Sequence, residues 1–325
     1  CTNEAEVKFV QANAAGAGYL CIGGIAGQTY SGAKVTGCAN RAAVSSDKLQ
    51  VTRIGGIVGT HNASTIDDCS NSGDITLAYT ATANNWEAAG GIVGFYDGTD
   101  GTAVTNGCTN SGKVSATVNS SNANIGAGGI AGIIKSGHAT NNTNDGAVWM
   151  HNAQAGKSSY AGGIVGYIYG QVTVDSCYNR GSCTSGSYRA GGITAYLASS
   201  SAAVKNCYTT GETKVAYGSD SHAVIGNKSS GTVENCYYLS GLTADTSAAA
   251  KTADELKALA PTLGDAFLAA PADLNDGYPI LRWQVPTYTV TFMVDPAGAE
   301  VTIDGQTGTH TEGRWVFALP DGTYS

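Results

Sequence analysis

The side chains with chemistry to offer in this 325-residue sequence are nine cysteines, five histidines, 25 carboxylates and 17 tyrosines. The cysteines are Cys1, Cys21, Cys38, Cys69, Cys108, Cys177, Cys183, Cys207 and Cys236. No C-x-x-C pair and no Cys/His cluster occurs, so a zinc site is disfavoured. The histidines (His61, His138, His151, His222 and His310) are scattered, and none pairs by motif with a Ser or Cys nucleophile. Asp97-Gly-Thr-Asp100-Gly sets two carboxylates among turn residues. Asp97 and Asp100 are therefore candidates for a calcium ion, against the alternative of an ordinary polar turn. Asp67, Asp68, Asp175 and Glu234 read as solvent-facing; folding would have to assemble any carboxylate pair for glycoside cleavage. Tyr167, Tyr169 and Tyr196 follow GGI motifs and are candidates to face a sugar. They would serve equally as outward strand residues packing across neighbouring strands. Gly126–Gly132 has the glycines of a dinucleotide loop, but no helix follows, so no nucleotide cofactor is expected.

The elements that position these residues come from an internal repeat. GGI[VA]G recurs at Gly23, Gly55, Gly90, Gly128 and Gly162, with degenerate copies at Gly191 and at Val224-Ile225-Gly226. Between the copies runs C-x-N-x-G-x-[VI], clean at Cys69 and Cys108, with variants at Cys38, Cys177, Cys207 and Cys236. Asn142 takes the Cys slot once. The period of 29 to 38 residues, with strand formers and no helical periodicity, predicts an all-β parallel solenoid of about seven coils. Each coil is read as three short strands: GGIVG with the two residues after it, the stretch running into the Cys, and the G-x-V segment. At ~4.8 Å per coil the rod would be roughly 30–35 Å long.

In such a coil, equivalent side chains stack. Asn40, Asn71, Asn110, Asn144 and Asn179 are expected to form an amide ladder and to tolerate a left-handed bend. Cys38, Cys69, Cys108, Cys177, Cys207 and Cys236 are expected to form a buried ladder of free thiols. Their parallel Cβ directions suit disulfides poorly, though one or more bridges stay open as an alternative. The paired glycines imply either positive φ at a corner or close approach of coils. Residue 1 falls inside a repeat, so coils are expected upstream of it. The variable loops mostly precede GGI and share one edge, where a solenoid usually binds.

Composition agrees. All six prolines lie beyond residue 260, and glycine is about twice its usual share. The net charge of −8 falls almost wholly on residues 241–325. No basic run favours nucleic acid, and no apolar run is long enough to span a membrane. After Tyr238 the repeat stops. Thr252 and Glu255 make a capping-box pattern before a helix that Pro261 should end, and a second short helix is expected over 262–268. The domain reading is 1–244 solenoid, 245–286 cap and linker, and 287–325 part of a β-sandwich module with turns at Asp295–Gly298 and Asp304-Gly305.

The alternation of GGIVG with C-x-N-x-G-x-V resembles the GLUG-motif repeats of bacterial surface and secreted proteins. The tail YTVTFMVDPAGAEVTIDG is similar to PEGA-like or carboxypeptidase-regulatory-like β-modules of exported proteins. These resemblances imply a non-catalytic, extracellular surface or secreted rod that displays loops to a host or bacterial glycan or protein. They supply no catalytic residue. The alternative is a polysaccharide lyase or glycoside hydrolase on a parallel β-helix. An ice-binding solenoid would need a regular Thr array, which the coils lack.

Overall fold

The computed structural model describes residues 1–9, 20–46, 51–80, 86–98, 101–120, 124–154, 157–217, 220–285, 287–293, 300–311 and 314–320. The chain falls into two units, Cys1–Pro279 and Ile280–Ser325.

The first unit is a right-through stack of parallel strands. Each coil contributes five short strands rather than three, so the rod has five faces. Coil 3 illustrates them. Face 1 is the two-residue strand Ser70–Asn71, face 2 is Ile75–Thr80, face 3 is Glu87–Gly90, face 4 is Val93–Tyr96 and face 5 is Val104–Asn106. Four faces hold seven strands each, in parallel register. The GGIVG segment is not one strand. Face 3 ends on the first glycine and face 4 resumes at the residue after Ile, because the chain bends at the glycine pair.

The reason for that bend is close approach, not positive φ. A Cβ on Gly91 would lie 2.1 Å from the Gly129 carbonyl oxygen and 2.3 Å from Cγ of Asn110. Gly24, Gly56, Gly129 and Gly163 meet Asn40, Asn71, Asn144 and Asn179 in the same way. The two repeated motifs therefore touch: the second glycine of GGI packs on the Asn of C-x-N, and only hydrogen fits between them. The left-handed bend also sits elsewhere than expected. It falls on the residue just before the Cys slot, namely Gly37, Asp68, Gly107, Asn141, Ser176, Asn206 and Asn235, while the ladder asparagines lie in strands. Gly, Asn and Asp tolerate that conformation at least cost.

The asparagine ladder is continuous. Nδ2 of Asn3, Asn40, Asn71, Asn110 and Asn144 each donates to Oδ1 of the next, at 2.6–2.8 Å, and Asn179 ends the row on Thr209 Oγ1 at 3.3 Å. The second Nδ2 proton of Asn71, Asn110, Asn144 and Asn179 goes to the carbonyl two residues on, at 2.8–2.9 Å. Buried amides are thus satisfied within the row.

This ladder forms a waist between two cores. One core, inside faces 4, 5 and 1, holds Ile57, Val58, Ile66 and Cys69 and their copies. The other, between faces 2 and 3, holds Ile54, Ile75, Leu77 and Ala89 and their copies.

The rod's last coil is closed by the following segment. Ala249–Lys251 adds a parallel strand to Tyr237–Leu239 on face 1. Buried Asp245 accepts hydrogen bonds from the amides of Val224 (2.9 Å) and Ile225 (2.7 Å) through one carboxylate oxygen. In earlier coils one carbonyl of the next coil takes both of these amides, as Ile92 does for Ile57 and Val58. Asp245 therefore replaces the absent coil and blunts the open edge. Helix α1 (Ala253–Lys257) starts at the Thr252/Glu255 capping box as expected. It ends before Pro261, which instead lies in the first turn of α2 (Ala260–Leu263); Pro is tolerated there because that N–H is unsatisfied anyway. Phe267–Leu268, expected at the end of a helix, is a short strand.

In the second unit Thr287–Met293 pairs antiparallel with Arg314–Pro320, which also pairs with Thr309–Thr311. Thr302–Ile303 and Gln306–Thr307 form a hairpin whose turn residues Asp304 and Gly305 both have positive φ, as an Asp-Gly turn requires. The expected Asp295–Gly298 turn lies outside the described residues.

Candidate binding groove

Faces 3 and 4 meet at a re-entrant angle, because the last glycine of GGIVG lies against the face 3 backbone of the preceding coil. A Cβ on Gly94 would come within 2.8 Å of the Ile54 backbone. Side chains that point outward from the two faces consequently contact each other. In register, face 3 presents Cys21, Arg53, Ala88, Gly126, Tyr160 and Arg189. Face 4 presents Thr60, Phe95, Ile133, Tyr167 and Tyr196. At one end of this groove Cys21 Sγ is 3.0 Å from Thr60 Oγ1. Further along, the Arg53 guanidinium lies 4.0 Å over the Phe95 ring.

The groove is aromatic over coils 3 to 6. Trp86 leans across two coils to stack on Tyr167 (6.3 Å, 10°), and Tyr167 stacks on Tyr196 (5.2 Å, 9°). Tyr160 packs 5.1 Å from Tyr167 and 5.2 Å from Tyr196. The Arg189 guanidinium covers Tyr196 at 4.0 Å and Tyr188 at 4.4 Å, and its Nε is 3.4 Å from Asp220. Burial pushes the Tyr160 and Tyr167 hydroxyls up from their usual range, so both stay neutral.

The three tyrosines singled out by sequence are thus brought together but presented differently. Tyr167 is 5% exposed and forms the floor, Tyr196 is half-buried, and Tyr169 is 49% exposed beside Trp86 (5.0 Å, edge-on). Trp86, Phe95, Tyr160 and Arg189 were not anticipated. Lining up the residues two before each glycine pair would have found Tyr160 and Arg189.

Asp97 sits at the groove's edge between two cations, 3.5 Å from Arg53 and 3.6 Å from Lys135. Asp100 lies outside the described residues. Among the described residues no three His, Cys, Asp or Glu side chains are grouped to hold a metal ion.

All nine cysteines are free, and the six predicted ladder thiols are buried in the first core. Each ladder thiol donates to the carbonyl two residues before it, at 3.0–3.4 Å. The Cys38 amide donates to Cys69 Sγ (3.4 Å), and the Cys69 thiol donates to the Asp67 carbonyl (3.3 Å). Asn142 takes the same place: its Oδ1 accepts from the Cys108 amide (2.9 Å), and its Nδ2 donates to the Thr105 carbonyl of the preceding coil (3.0 Å), as the Cys69 thiol approaches the Val35 carbonyl (3.4 Å). The thiols act as small apolar groups that each donate a weak hydrogen bond to a carbonyl. Burial raises Cys108 and Cys207 well above the ordinary thiol range.

Two further buried titratable groups stand apart from the groove. His61 contacts Ser64 Oγ (2.7 Å) through Nδ1 and the Val104 carbonyl (3.2 Å) through Nε2, and burial holds its pKa down to about 4. Glu87 accepts from Ser120 Oγ (3.0 Å), and burial pushes its pKa up to about 7. Neither opens onto a cleft that could admit a substrate: His61 and Glu87 are both fully buried.

None of the curated proteins matches the chain in sequence. Among solved structures it is similar to a Bacteroides ovatus protein described as a "putative immunoglobulin A1 protease", with TM-score 0.51 and 20% identity. The likeness covers 78% of this chain and 87% of that one, and at this identity it shows a shared fold alone. Residues 51–76, which run from face 3 of one coil to face 2 of the next and include Gly55–Gly59 and Cys69–Ile75, match the family model described as the GLUG motif.

Proposed function

We propose that the chain is a non-catalytic rod from a bacterial cell-surface or secreted protein, which displays its loops and groove to a glycan or protein partner. The observation that carries this reading is how the rod absorbs insertions. Successive ladder asparagines are 31, 39, 34 and 35 residues apart, yet the side-chain bonds between them are uniform at 2.6–2.8 Å. Differences in coil length leave the axial bonding unperturbed, which is how a scaffold for display behaves. The GLUG motif and the resemblance of the tail to PEGA-like modules support an exported protein. We read residues 287–325 as part of such a module.

The arrangement of carboxylates favours display over glycan cleavage. On face 5, Asn106 and Thr140 separate Asp67 from Asp175, and Lys205 separates Asp175 from Glu234. In the nearer of these pairs, Asp175 and Glu234, the intervening Lys205 pairs with Asp175 at 3.2 Å and so puts an ammonium group where an inverting glycosidase keeps room for water. No cofactor is part of this reading. Incubating the purified chain with a polysaccharide panel tests it. Binding without turnover is expected; new reducing ends or unsaturated products would establish the lyase or hydrolase alternative instead.

A further inference from the structure

Among the described residues, four tyrosines of the rod expose a large share of their surface: Tyr30, Tyr169, Tyr188 and Tyr217. Two of them, Tyr169 (49% exposed) and Tyr188 (37%), border the same aromatic groove. Beneath them Tyr160 and Tyr167 are packed on all sides and fixed in place. The exposed rings are therefore presented on a rigid base, which lowers the ordering cost of binding. Tyr169 stands edge-on to both Trp86 (75°) and Tyr167 (66°), so its own ring faces a different direction from the stack below. Its hydroxyl, and that of Tyr196, make no hydrogen bond within the protein among the described residues. Arg189, at the centre, is paired with Asp220 and stacked on rings, so its charge is already met within the protein.

From these observations we infer that the groove over coils 5 and 6 is a binding site for a neutral glycan chain, with Tyr169 and Tyr188 as stacking platforms and the Tyr196 hydroxyl as a polar contact. The inference rests on the display reading above and names its site and ligand class. A pyranose offers an apolar C–H face and a rim of hydroxyls, matching the exposed Tyr169 and Tyr188 rings and the hydroxyls of Tyr169 and Tyr196, while the Tyr188 hydroxyl accepts from Arg189 (3.4 Å). Tyr169 follows the face 4 strand Val165–Ile168 of coil 5 and Tyr188 precedes the face 3 strand Arg189–Gly191 of coil 6, so the two rings flank the Tyr160–Tyr167 floor from its two faces. A polyproline segment would use the rings but has no hydrogen-bond donor to offer the hydroxyls.

The test is titration of the full chain with soluble hexasaccharides of β-1,4-linked glucose and β-1,4-linked N-acetylglucosamine, and with decaproline as competitor class, followed by tryptophan fluorescence and calorimetry. At least one hexasaccharide should bind. Tyr169→Ala and Tyr188→Ala should each weaken binding at least 10-fold with unchanged thermal melting, while Tyr30→Ala and Tyr217→Ala leave it unaltered. Absence of hexasaccharide binding, binding unaffected by Tyr169→Ala and Tyr188→Ala, or decaproline binding alone overturns the site while leaving the rod reading intact. Binding at these residues accompanied by cleavage keeps the site and overturns the non-catalytic reading.

Discussion

The glycine pair of each coil has the asparagine waist on one side and the aromatic groove on the other, and the two sides obey different rules. At the waist every coil repeats the same residue types, because backbones from adjacent coils approach until only a glycine fits. In the groove the residue types change from coil to coil: Arg53 and Phe95, then Ile133, then Tyr160 with Tyr167, then Arg189 with Tyr196. Axial stacking constrains the first side tightly and the second hardly at all. A repeat protein built this way holds its fold in the invariant row and is free to place recognition in the variable one.

The sharpest way to break that contrast is at the waist. Gly91→Ala would force a Cβ to within 2.1 Å of the Gly129 carbonyl oxygen and 2.3 Å of Asn110, with backbone that cannot yield. Loss of soluble folded protein, or destabilisation above ~4 kcal/mol in urea unfolding, is expected. Gly37→Ala, with nothing within 4 Å of its Cβ, should cost only the left-handed backbone penalty of about 1 kcal/mol. Similar costs at the two positions would contradict the account of the waist.

The next comparison sets one ladder residue against one groove residue. Asn110→Ala removes its two donated bonds and the one it accepts, which leaves one Nδ2 proton of Asn71 and the Gly112 carbonyl without their partners in the interior and Asn144 Oδ1 with only the Gly146 amide. Roughly 3–5 kcal/mol should be lost, read by the same unfolding experiment. Tyr169→Ala, on the exposed side, should fall within about 0.5 kcal/mol of the parent. A large effect at Tyr169 would make the groove part of the fold rather than a surface built upon it.

The smallest effect concerns the two buried titratable groups, whose pH dependences oppose each other. Glu87 is raised from 4.5 to about 7, so the folded protein keeps a proton that the unfolded chain releases. Its contribution is full below pH 4.5 and is lost as pH rises to about 7. His61 is lowered from 6.5 to about 4, so its contribution is full above pH 6.5 and is lost as pH falls toward 4. Each is worth ~3 kcal/mol across its window, and between pH 4.5 and 6.5 they largely cancel. Glu87→Gln should therefore lose stability on acidification through that range, and His61→Gln should lose it on alkalinisation. Melting temperatures at pH 4.5, 5.5 and 6.5 check both signs.

The parallel solenoid, the Asn row and the Cys row were legible because each depends on a residue type recurring in fixed register. The five faces were not, because the two-residue strands on face 1, such as Ser70–Asn71, are too short to show alternation. The bend was assigned to the asparagines, although the alternation of Gly, Asp, Asn and Ser just before each Cys slot marks its true place. Asp245 was missed as a cap because its role appears only where the repeat stops and two amides lose their next coil. The groove was half legible: Tyr167, Tyr169 and Tyr196 were named, but which of them is floor and which is surface depends on Trp86 reaching across two coils.

What the sequence determined by itself is thus the periodic part. Glycine, asparagine and cysteine at constant spacing specify stacking, since only in-register coils satisfy a row of amides and spare every paired glycine a clash. What the tertiary structure decided is the re-entrant angle between faces 3 and 4. That angle arises from backbone meeting backbone between coils, and it turns outward side chains from distant repeats into neighbours. No local pattern encodes such a meeting, because its partners belong to different coils and differ in kind from one coil to the next.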